Sequence, residues 1–176
     1  MATTNWALDP SHSEIQFKVK HMMISTITGE FSKFASTLET EGADFTQAKV
    51  TFSADIDSIN TKNEQRDGHL KSPDFFDAPA HPQLTFTGSK LERKDDEHYT
   101  LTGDLTLRGT TKEVTLAVVN NGIIKDPYGN QRTGFEISGK INRKDFGLTW
   151  HQITEAGGLV VSDEVKLIAN VEFVQQ

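Results

Sequence analysis

Residues 12–21 read HSEIQFKVKH, a run in which apolar and polar side chains alternate. The apolar members Ile15, Phe17 and Val19 stand on every second residue. A period of two is typical of a half-buried β-strand, because successive side chains leave opposite faces of the pleated chain. The same alternation returns in segment after segment to the C-terminus, with no long helix between. The sequence therefore predicts an all-β protein made of antiparallel strands.

A chain of this kind has to protect the edges of its sheet, and closing into a barrel does so. We predict a single domain over residues 1–176, an eight-stranded antiparallel β-barrel. One segment breaks the alternation, and a helical insertion is expected around residues 62–77, with a short helix at residues 62–71. Thr61 and Glu64 have the spacing of a capping box at its start. Turns are predicted at NNG (residues 120–122) and, further on, at DPYGN.

The composition excludes several partners and chemistries. The chain has 25 acidic and 18 basic side chains, a net charge of −7 and no basic stripe, so nucleic acid and an anionic membrane surface are poor partners. It has no cysteine, which excludes disulfides and cysteine nucleophiles. No membrane span is predicted, because no run of about 18 apolar residues occurs. Without a signal peptide the chain as written is expected to be cytoplasmic, or periplasmic if it is a processed mature form.

The interior of the predicted barrel can be read in two ways. Ala54, Gly103, Gly139 and Ala169 fall near the middle of four predicted strands, and at one level they would leave a tunnel. The predicted walls of that tunnel are Phe17, Val19, Phe31, Phe52, Phe86, Leu101, Leu105, Phe135, Ile137 and Val171. The other reading is that small and large side chains alternate to fill a tapered core. An apolar tunnel suits a long hydrocarbon, since burying each CH₂ contributes about 0.8 kcal/mol.

A set of short blocks between residues 6 and 174, in this order and spacing, resembles the YceI-like family of polyisoprenoid-binding proteins. The blocks are WALDPSHS (6–13), His21, GEF (29–31), TKNEQRDGHL (61–70), SPDFFD (72–77), PQLTF (82–86), GDLTLRGTT (103–111), NRKDFGL (142–148) and SDEV (162–165). Any one block is a weak signal, and the set is specific. The resemblance implies a lipocalin-like barrel whose tunnel holds an isoprenoid quinone or a polyprenyl phosphate. The resemblance therefore favours a hollow barrel over a filled core.

Three polar residues are candidates for holding the head group of such a lipid. His21, at a strand end on the inward face, is expected to hydrogen-bond a quinone carbonyl or a phosphate, or else to be a core histidine satisfied by backbone or Asp67. Arg66 is expected to meet a phosphate, with Asp67 orienting His21 or holding Arg66. The alternative for Arg66 and Asp67 is an ion pair that fixes the helix to the barrel.

Aromatic residues are candidates for closing the tunnel. Phe75 and Phe76 follow Pro73 and either line the ligand or form a small core beneath a long connection. Trp150, in a late loop, is placed to cover a mouth, whereas Trp6 is expected to anchor an N-terminal strand.

The leading hypothesis is a non-enzymatic protein that binds an isoprenoid lipid for storage, transport or sequestration. The alternatives are an enzyme acting on a lipidic substrate, with His21 and Asp67 as an acid–base pair, and a filled barrel that serves as an interaction module. No metal site is expected, because no histidines have His-x-His or His-x-x-x-His spacing, and no cofactor is expected besides the lipid. An exposed apolar mouth would also favour a homodimer.

Overall fold

The computed structural model describes residues 3–22, 24–150 and 161–176. Within these ranges the chain forms eleven strands and one α-helix. The strands are β1 (Thr3–Leu8), β2 (Glu14–His21), β3 (Ser25–Phe31), β4 (Phe34–Glu41), β5 (Asp44–Asp55), β6 (Ile59–Asn60), β7 (Gln83–Arg93), β8 (His98–Leu107), β9 (Thr110–Lys125), β10 (Gln131–Asn142) and β11 (Glu164–Gln175), and the helix is α1 (Glu64–Lys71).

Eight of the strands hydrogen-bond into a closed ring, in the order β1-β4-β5-β7-β8-β9-β10-β11 and back to β1. All pairings are antiparallel. β11 pairs twice on the same side, through residues 173–175 with β1 and through residues 166–170 with β2. β2, β3 and β6 thereby extend the barrel beyond the ring. The predicted eight-stranded antiparallel barrel is confirmed.

The two ends of the barrel differ. His21 at the end of β2 bridges to Val161, and Asn142 at the end of β10 pairs with Glu164, so these connections lie at one end. The connection that carries α1 lies there too. It runs from Asp55, the last residue of β5, to Gln83, the first residue of β7, and these two residues pair with each other. We call this the helix end. The opposite, closed end carries the turns that follow β4, β7 and β9.

An aromatic cluster fills the closed end. The ring of Phe45 lies 6.1 Å from that of Trp6 and 5.3 Å from that of Phe135, and Phe173 continues the cluster at 6.0 Å from Phe135. Trp6 is 3% exposed, and its Nε1 donates a 3.0 Å hydrogen bond to Oγ1 of Thr40. Trp6 thus anchors the N-terminal strand β1, and the rings block this end of the barrel.

The turn predicted at residues 120–122 is wrong, because β9 continues through it to Lys125. Asn120 is buried rather than exposed as turn residues usually are. Its Nδ2 donates to Oγ1 of Thr133 at 2.8 Å and to the carbonyl of Gly134 at 2.9 Å. The β9–β10 register shifts here, so the polar residues form a bulge inside the strand.

The predicted start of the helix is also wrong. α1 begins at Glu64, and its N-cap is Asn63, whose Oδ1 accepts a 3.0 Å hydrogen bond from the backbone N–H of Arg66. Thr61 is only 4% exposed and is committed to other partners, described below. Asn satisfies an unpaired N–H group of the first turn as well as Thr does.

Neighbouring side chains occupy the space beside two of the small residues predicted to leave a tunnel, Gly103 and Gly139. A Cβ atom on Gly103 would lie 2.5 Å from Cζ of Phe86 and 2.5 Å from the carbonyl oxygen of Thr87. A Cβ atom on Gly139 would overlap the side chain of Leu116. The space at each glycine is therefore occupied by a side chain of the adjacent strand and does not contribute to a tunnel.

Replacing Gly103 by alanine should destabilise the barrel by about 1–3 kcal/mol, because one of the clashing groups is backbone and cannot rotate away. Gly134→Ala is the matched control, since its Cβ would meet only the carbonyl of Val171 at 3.7 Å, an ordinary contact. Urea unfolding measures both changes. Equal midpoints for the two variants would show that the close approach at Gly103 costs nothing.

An ion network joins the break between β1 and β2 to the barrel wall. Arg132 donates to Asp126 at 2.6 Å through Nε, and to Asp9 and Glu172 at 2.9 Å each through Nη1. His12 joins it, with Nδ1 2.9 Å from Oδ2 of Asp9. Asp9, His12 and Glu172 lie close enough together to hold a metal ion. The guanidinium already occupies the same carboxylate oxygens, so it takes the place that a cation would need.

This network predicts a loss of stability in acid. The hydrogen bond from Arg132 and the backbone N–H of Asn130 hold the pKa of Asp126 at about 2, below its ordinary 3.8. Hydrogen bonds from Ser11 and Arg132 likewise lower the pKa of Asp9. Groups whose pKa is lowered on folding stabilise the fold fully above their unfolded pKa, and this contribution is lost as the pH falls. The midpoint of unfolding should therefore decrease as the pH is lowered from about 4 to about 2.

In Arg132→Met the midpoint should fall less steeply across the same window, because each of the two carboxyl groups loses one of the donors that lower its pKa. Some slope should remain, since the backbone N–H of Glu97 and the ring of His98 hold the pKa of Asp95 at about 2 independently. Parallel curves for wild type and variant would show that Arg132 does not stabilise these carboxylates.

Candidate functional site

The barrel is hollow. A cavity of about 380 Å³ runs from Phe135 and Phe173 in the closed-end cluster to Trp150 at the helix end. The filled barrel, which would have no internal cavity, is therefore wrong as a description of this chain. The cavity extends over most of β11, because every second residue from Val165 to Phe173 lines it. At about 3.3 Å per residue, those eight steps span ~26 Å along the strand.

Most of the residues predicted to line a tunnel do line this cavity; whether they contact a ligand stays a prediction. They are Phe17, Val19, His21, Phe31, Phe52, Arg66, Phe75, Phe76, Phe86, Leu101, Leu105, Phe135, Ile137, Trp150, Ala169 and Val171.

Four predicted site residues are not part of the cavity lining. Gly103 and Gly139 are covered by their neighbours, and Ala54 is 1% exposed within the core cluster. Asp67 lies on α1 and is engaged elsewhere. Of the four small residues proposed to leave the tunnel open, only Ala169 borders the open space. The tunnel comes from the width of the barrel rather than from a layer of small side chains.

The lining is apolar apart from a few groups: Gln16, His21, Ser36, Thr61, Arg66, His69 and Arg143. A second pocket, on the surface, is lined by Asn63, Gln65, Arg66 and His69. Because Arg66 and His69 border both spaces, we infer that the cavity opens to solvent between them. We call this opening the mouth.

Arg66, Thr61 and Asp67 form a compact network beside the mouth. Arg66 donates to Oγ1 of Thr61 through Nε at 2.8 Å and to its carbonyl through Nη2 at 2.6 Å. The backbone N–H and the hydroxyl of Thr61 both donate to Oδ1 of Asp67. The predicted direct ion pair between Arg66 and Asp67 is replaced by a link through buried Thr61, which could not be foreseen from spacing alone.

His21 and Asp67 do not form the pair that acid–base catalysis would need. Asp67 accepts from Thr61, and within the described ranges no hydrogen bond joins its carboxylate to the ring of His21. His21 lines the cavity from the end of β2. A general base has to be oriented within reach of the proton it takes, and the proposed partner is turned to another residue.

An aromatic cluster that includes a histidine flanks the mouth. The ring of His69 packs edge-on at 5.0 Å from Phe75 and 4.9 Å from Trp150, and these two rings lie 5.2 Å apart. Nε2 of His69 is 2.9 Å from Oδ2 of Asp74. We did not predict His69 as a site residue. Its spacing of three from Arg66 on a helix was the available signal, because residues three apart share a face.

A buried arginine that the sequence did not single out organises the rim of the helix end. Arg143 is 4% exposed and donates to four backbone carbonyls, those of Leu148, Trp150, Val161 and Ser162. Burial lowers the pKa of the Arg143 guanidinium, and the carboxylate of Asp163, 3.6 Å away, opposes this. With its donors used by carbonyls, Arg143 holds the rim in place and is poorly suited to bind a head group.

A closed barrel with an apolar cavity can be compared with known proteins. The model of the YceI-like domain matches residues 6–173. The chain belongs to the YceI-like family. A UPF0312 protein of Staphylococcus aureus is 41% identical over 172 residues, which cover 97% of each chain. In the described structure, no helix is long and apolar enough to cross a membrane.

Solved structures agree with this YceI-like assignment. The YCEI protein of Campylobacter jejuni is 34% identical with a TM-score of 0.79, covering 89% of this chain and 90% of its own. BcnA of Burkholderia cenocepacia, 23% identical, gives a TM-score of 0.80 over 94% and 98% of the two chains. A polyisoprenoid binding domain from Saccharophagus degradans, 17% identical, gives 0.67 over 97% and 98%. The last two show likeness of fold alone.

Proposed function

We propose that this protein binds a long isoprenoid lipid, an isoprenoid quinone or a polyprenyl phosphate, and stores, transports or sequesters it without chemical change. The observation that carries the proposal is the elongated apolar cavity with its polar groups concentrated towards one mouth. Moving the chain out of water contributes about 0.8 kcal/mol per CH₂, and a few polar groups suffice to orient it. The polyisoprenoid binding domain with the same fold supports this class of ligand.

The geometry favours one orientation of the lipid. The polar head group would lie at the mouth beside Arg66 and His69, with His21 facing it from β2. The hydrocarbon would extend to Phe135 and Phe173, where the closed end stops it. Reversing the lipid would bury the head group among aromatic rings with no hydrogen-bond partner, which is costly.

The two tryptophans allow the proposal to be tested by fluorescence. Trp150 lines the cavity near the mouth, whereas Trp6 packs in the closed-end cluster and is not part of the lining. Titration with polyprenyl phosphate or a prenyl quinone should give a saturable change from Trp150. Trp150→Phe should abolish most of that signal while retaining the ligand after gel filtration. No saturable change and no co-eluting lipid with any prenyl chain would contradict the proposal.

Replacing Arg66 by methionine should weaken binding of a polyprenyl phosphate by about tenfold or more, because a hydrogen bond to a charged group contributes roughly 1.5–3 kcal/mol. Affinity for the polyprenyl alcohol of the same chain length should change little. The ratio of the two dissociation constants is the measurement, since it cancels any structural effect of losing the contacts with Thr61.

Lys62→Met is the matched control. Lys62 is an exposed cation close to Arg66 in sequence but is not part of the cavity lining. Lys62→Met should leave the ratio of the dissociation constants for the polyprenyl phosphate and the polyprenyl alcohol near its wild-type value. If the Arg66 variant bound both ligands more weakly by the same factor, the head group would have to lie elsewhere.

A further inference from the structure

The tip of the β2–β3 hairpin exposes apolar side chains to solvent. Ile24 is 81% exposed and Met22 is 41% exposed, and we call these two residues the hairpin tip. In the described ranges, the other exposed large hydrophobic residues are Ile124 and Tyr128, at the closed end. A single exposed apolar residue is ordinary. What distinguishes the hairpin tip is that it lies at the helix end, where the mouth is.

The hairpin projects from the barrel at the helix end. β2 and β3 extend beyond the closed ring, and among the described residues β3 pairs on its other side with just the two residues of β6. His21 and Ile27, which flank the hairpin tip in sequence, both line the cavity, whereas Met22 and Ile24 do not. A surface contacted by the hairpin tip would therefore lie against the side of the barrel from which a ligand enters.

The hairpin also differs in charge from the other connections of the barrel. Residues 18–26 contain Lys18 and Lys20 and no acidic residue. Nζ of Lys20 lies 3.0 Å from Oγ1 of Thr26, across the hairpin. The closed-end turns at residues 41–44, 93–98 and 125–130 contain six acidic and three basic residues, and so does the helix-end connection at residues 55–83. The net charge of −7 made an anionic membrane a poor expected partner, but the hairpin itself is locally basic.

We propose that the hairpin tip docks on the surface of a lipid bilayer, with Met22 and Ile24 inserted between head groups and Lys18 and Lys20 beside lipid phosphates. Apolar insertion supplies the attraction, and the two lysines add attraction to anionic lipids. The mouth then faces the bilayer, and a lipid can pass between membrane and cavity with little exposure to water. The part concerning lipid transfer rests on the proposed function, whereas the docking itself does not.

Vesicle flotation with the full chain tests the docking. The vesicles are phosphatidylcholine containing phosphatidylglycerol, and the variants are Met22→Ser with Ile24→Ser against Ile124→Ser with Tyr128→Ser. The first pair should weaken vesicle binding by roughly tenfold or more, because two apolar side chains no longer leave water. The second pair removes large hydrophobic side chains at the closed end that are 65% and 89% exposed, and this variant should bind vesicles like wild type.

Uptake of a prenyl alcohol from a dispersion without membranes separates the two proposals. It should be unchanged in both variants, while transfer from vesicles should slow only in the hairpin-tip variant.

A wild type that takes up the alcohol yet does not float would overturn the docking and leave the proposed function intact. Self-association through the tip, seen as a concentration-dependent dimer lost in the hairpin-tip variant without flotation of the wild type, would also overturn it. Flotation that depends on the tip, with no uptake, would support docking and contradict the function.

Discussion

Replacing Ala169 by phenylalanine is expected to abolish most lipid binding while leaving the barrel folded. Ala169 lies midway along β11 and borders the open cavity, with Ile15 and Ile137 as its cross-strand partners. The added ring would occupy space that the hydrocarbon chain needs. Displacing about four CH₂ groups removes ~3 kcal/mol of transfer free energy, which is roughly a 100-fold loss of affinity. Titration with a polyprenyl alcohol measures the loss.

The control carries the same substitution on the outer face. Ala117 is exposed on β9, and Ala117→Phe adds the ring to solvent. It should bind lipid like wild type, and circular dichroism should be similar for both variants. If Ala169→Phe bound the lipid with wild-type affinity, the hydrocarbon of the lipid would have to lie outside this cavity.

The Arg143→Met variant is expected to lose about 3–5 kcal/mol of stability. Removing the guanidinium leaves four buried or half-buried carbonyls without their donor, and each unsatisfied group costs about 1–3 kcal/mol. It also leaves Asp163 without its buried partner, 3.6 Å away. Chemical denaturation measures the change.

Lys144→Met is the comparison for that experiment. Lys144 neighbours Arg143 and reaches the same carboxylate, with Nζ 3.3 Å from Oδ2 of Asp163, but its side chain is 42% exposed. Exposed ion pairs contribute little, so this variant should lose less than about 1 kcal/mol. Comparable losses in the two variants would mean that the carbonyl contacts of Arg143 do not stabilise the rim.

Side-chain alternation predicted which faces of the strands point inward. In β8, Leu101 and Leu105 line the cavity as expected, and in β11 so do Ala169 and Val171. Alternation works because the side-chain period of a strand is fixed at two, whatever its neighbours are. The signal was reliable for long central strands.

The predictions that failed, and the role of Arg143 that was not predicted, depend on contacts between distant parts of the chain. Gly103 faces Phe86 only because of the register between β7 and β8, which alternation does not specify. Asn120 resembles a turn residue until it is buried against Thr133. The role of Arg143 requires carbonyls that lie up to 19 residues away along the chain. Local patterns carry no information about these partners, so the site was only partly predictable.

Organic extraction of the natively purified protein, followed by mass spectrometry, determines whether the cavity holds an isoprenoid lipid. We expect a species close to one per chain whose mass is built from isoprene units, present in wild type and strongly depleted in Ala169→Phe. The protein should also acquire it after incubation with prenyl quinones or polyprenyl phosphates. Finding no prenyl lipid in the purified protein, and none after incubation with either class, would contradict the proposed function.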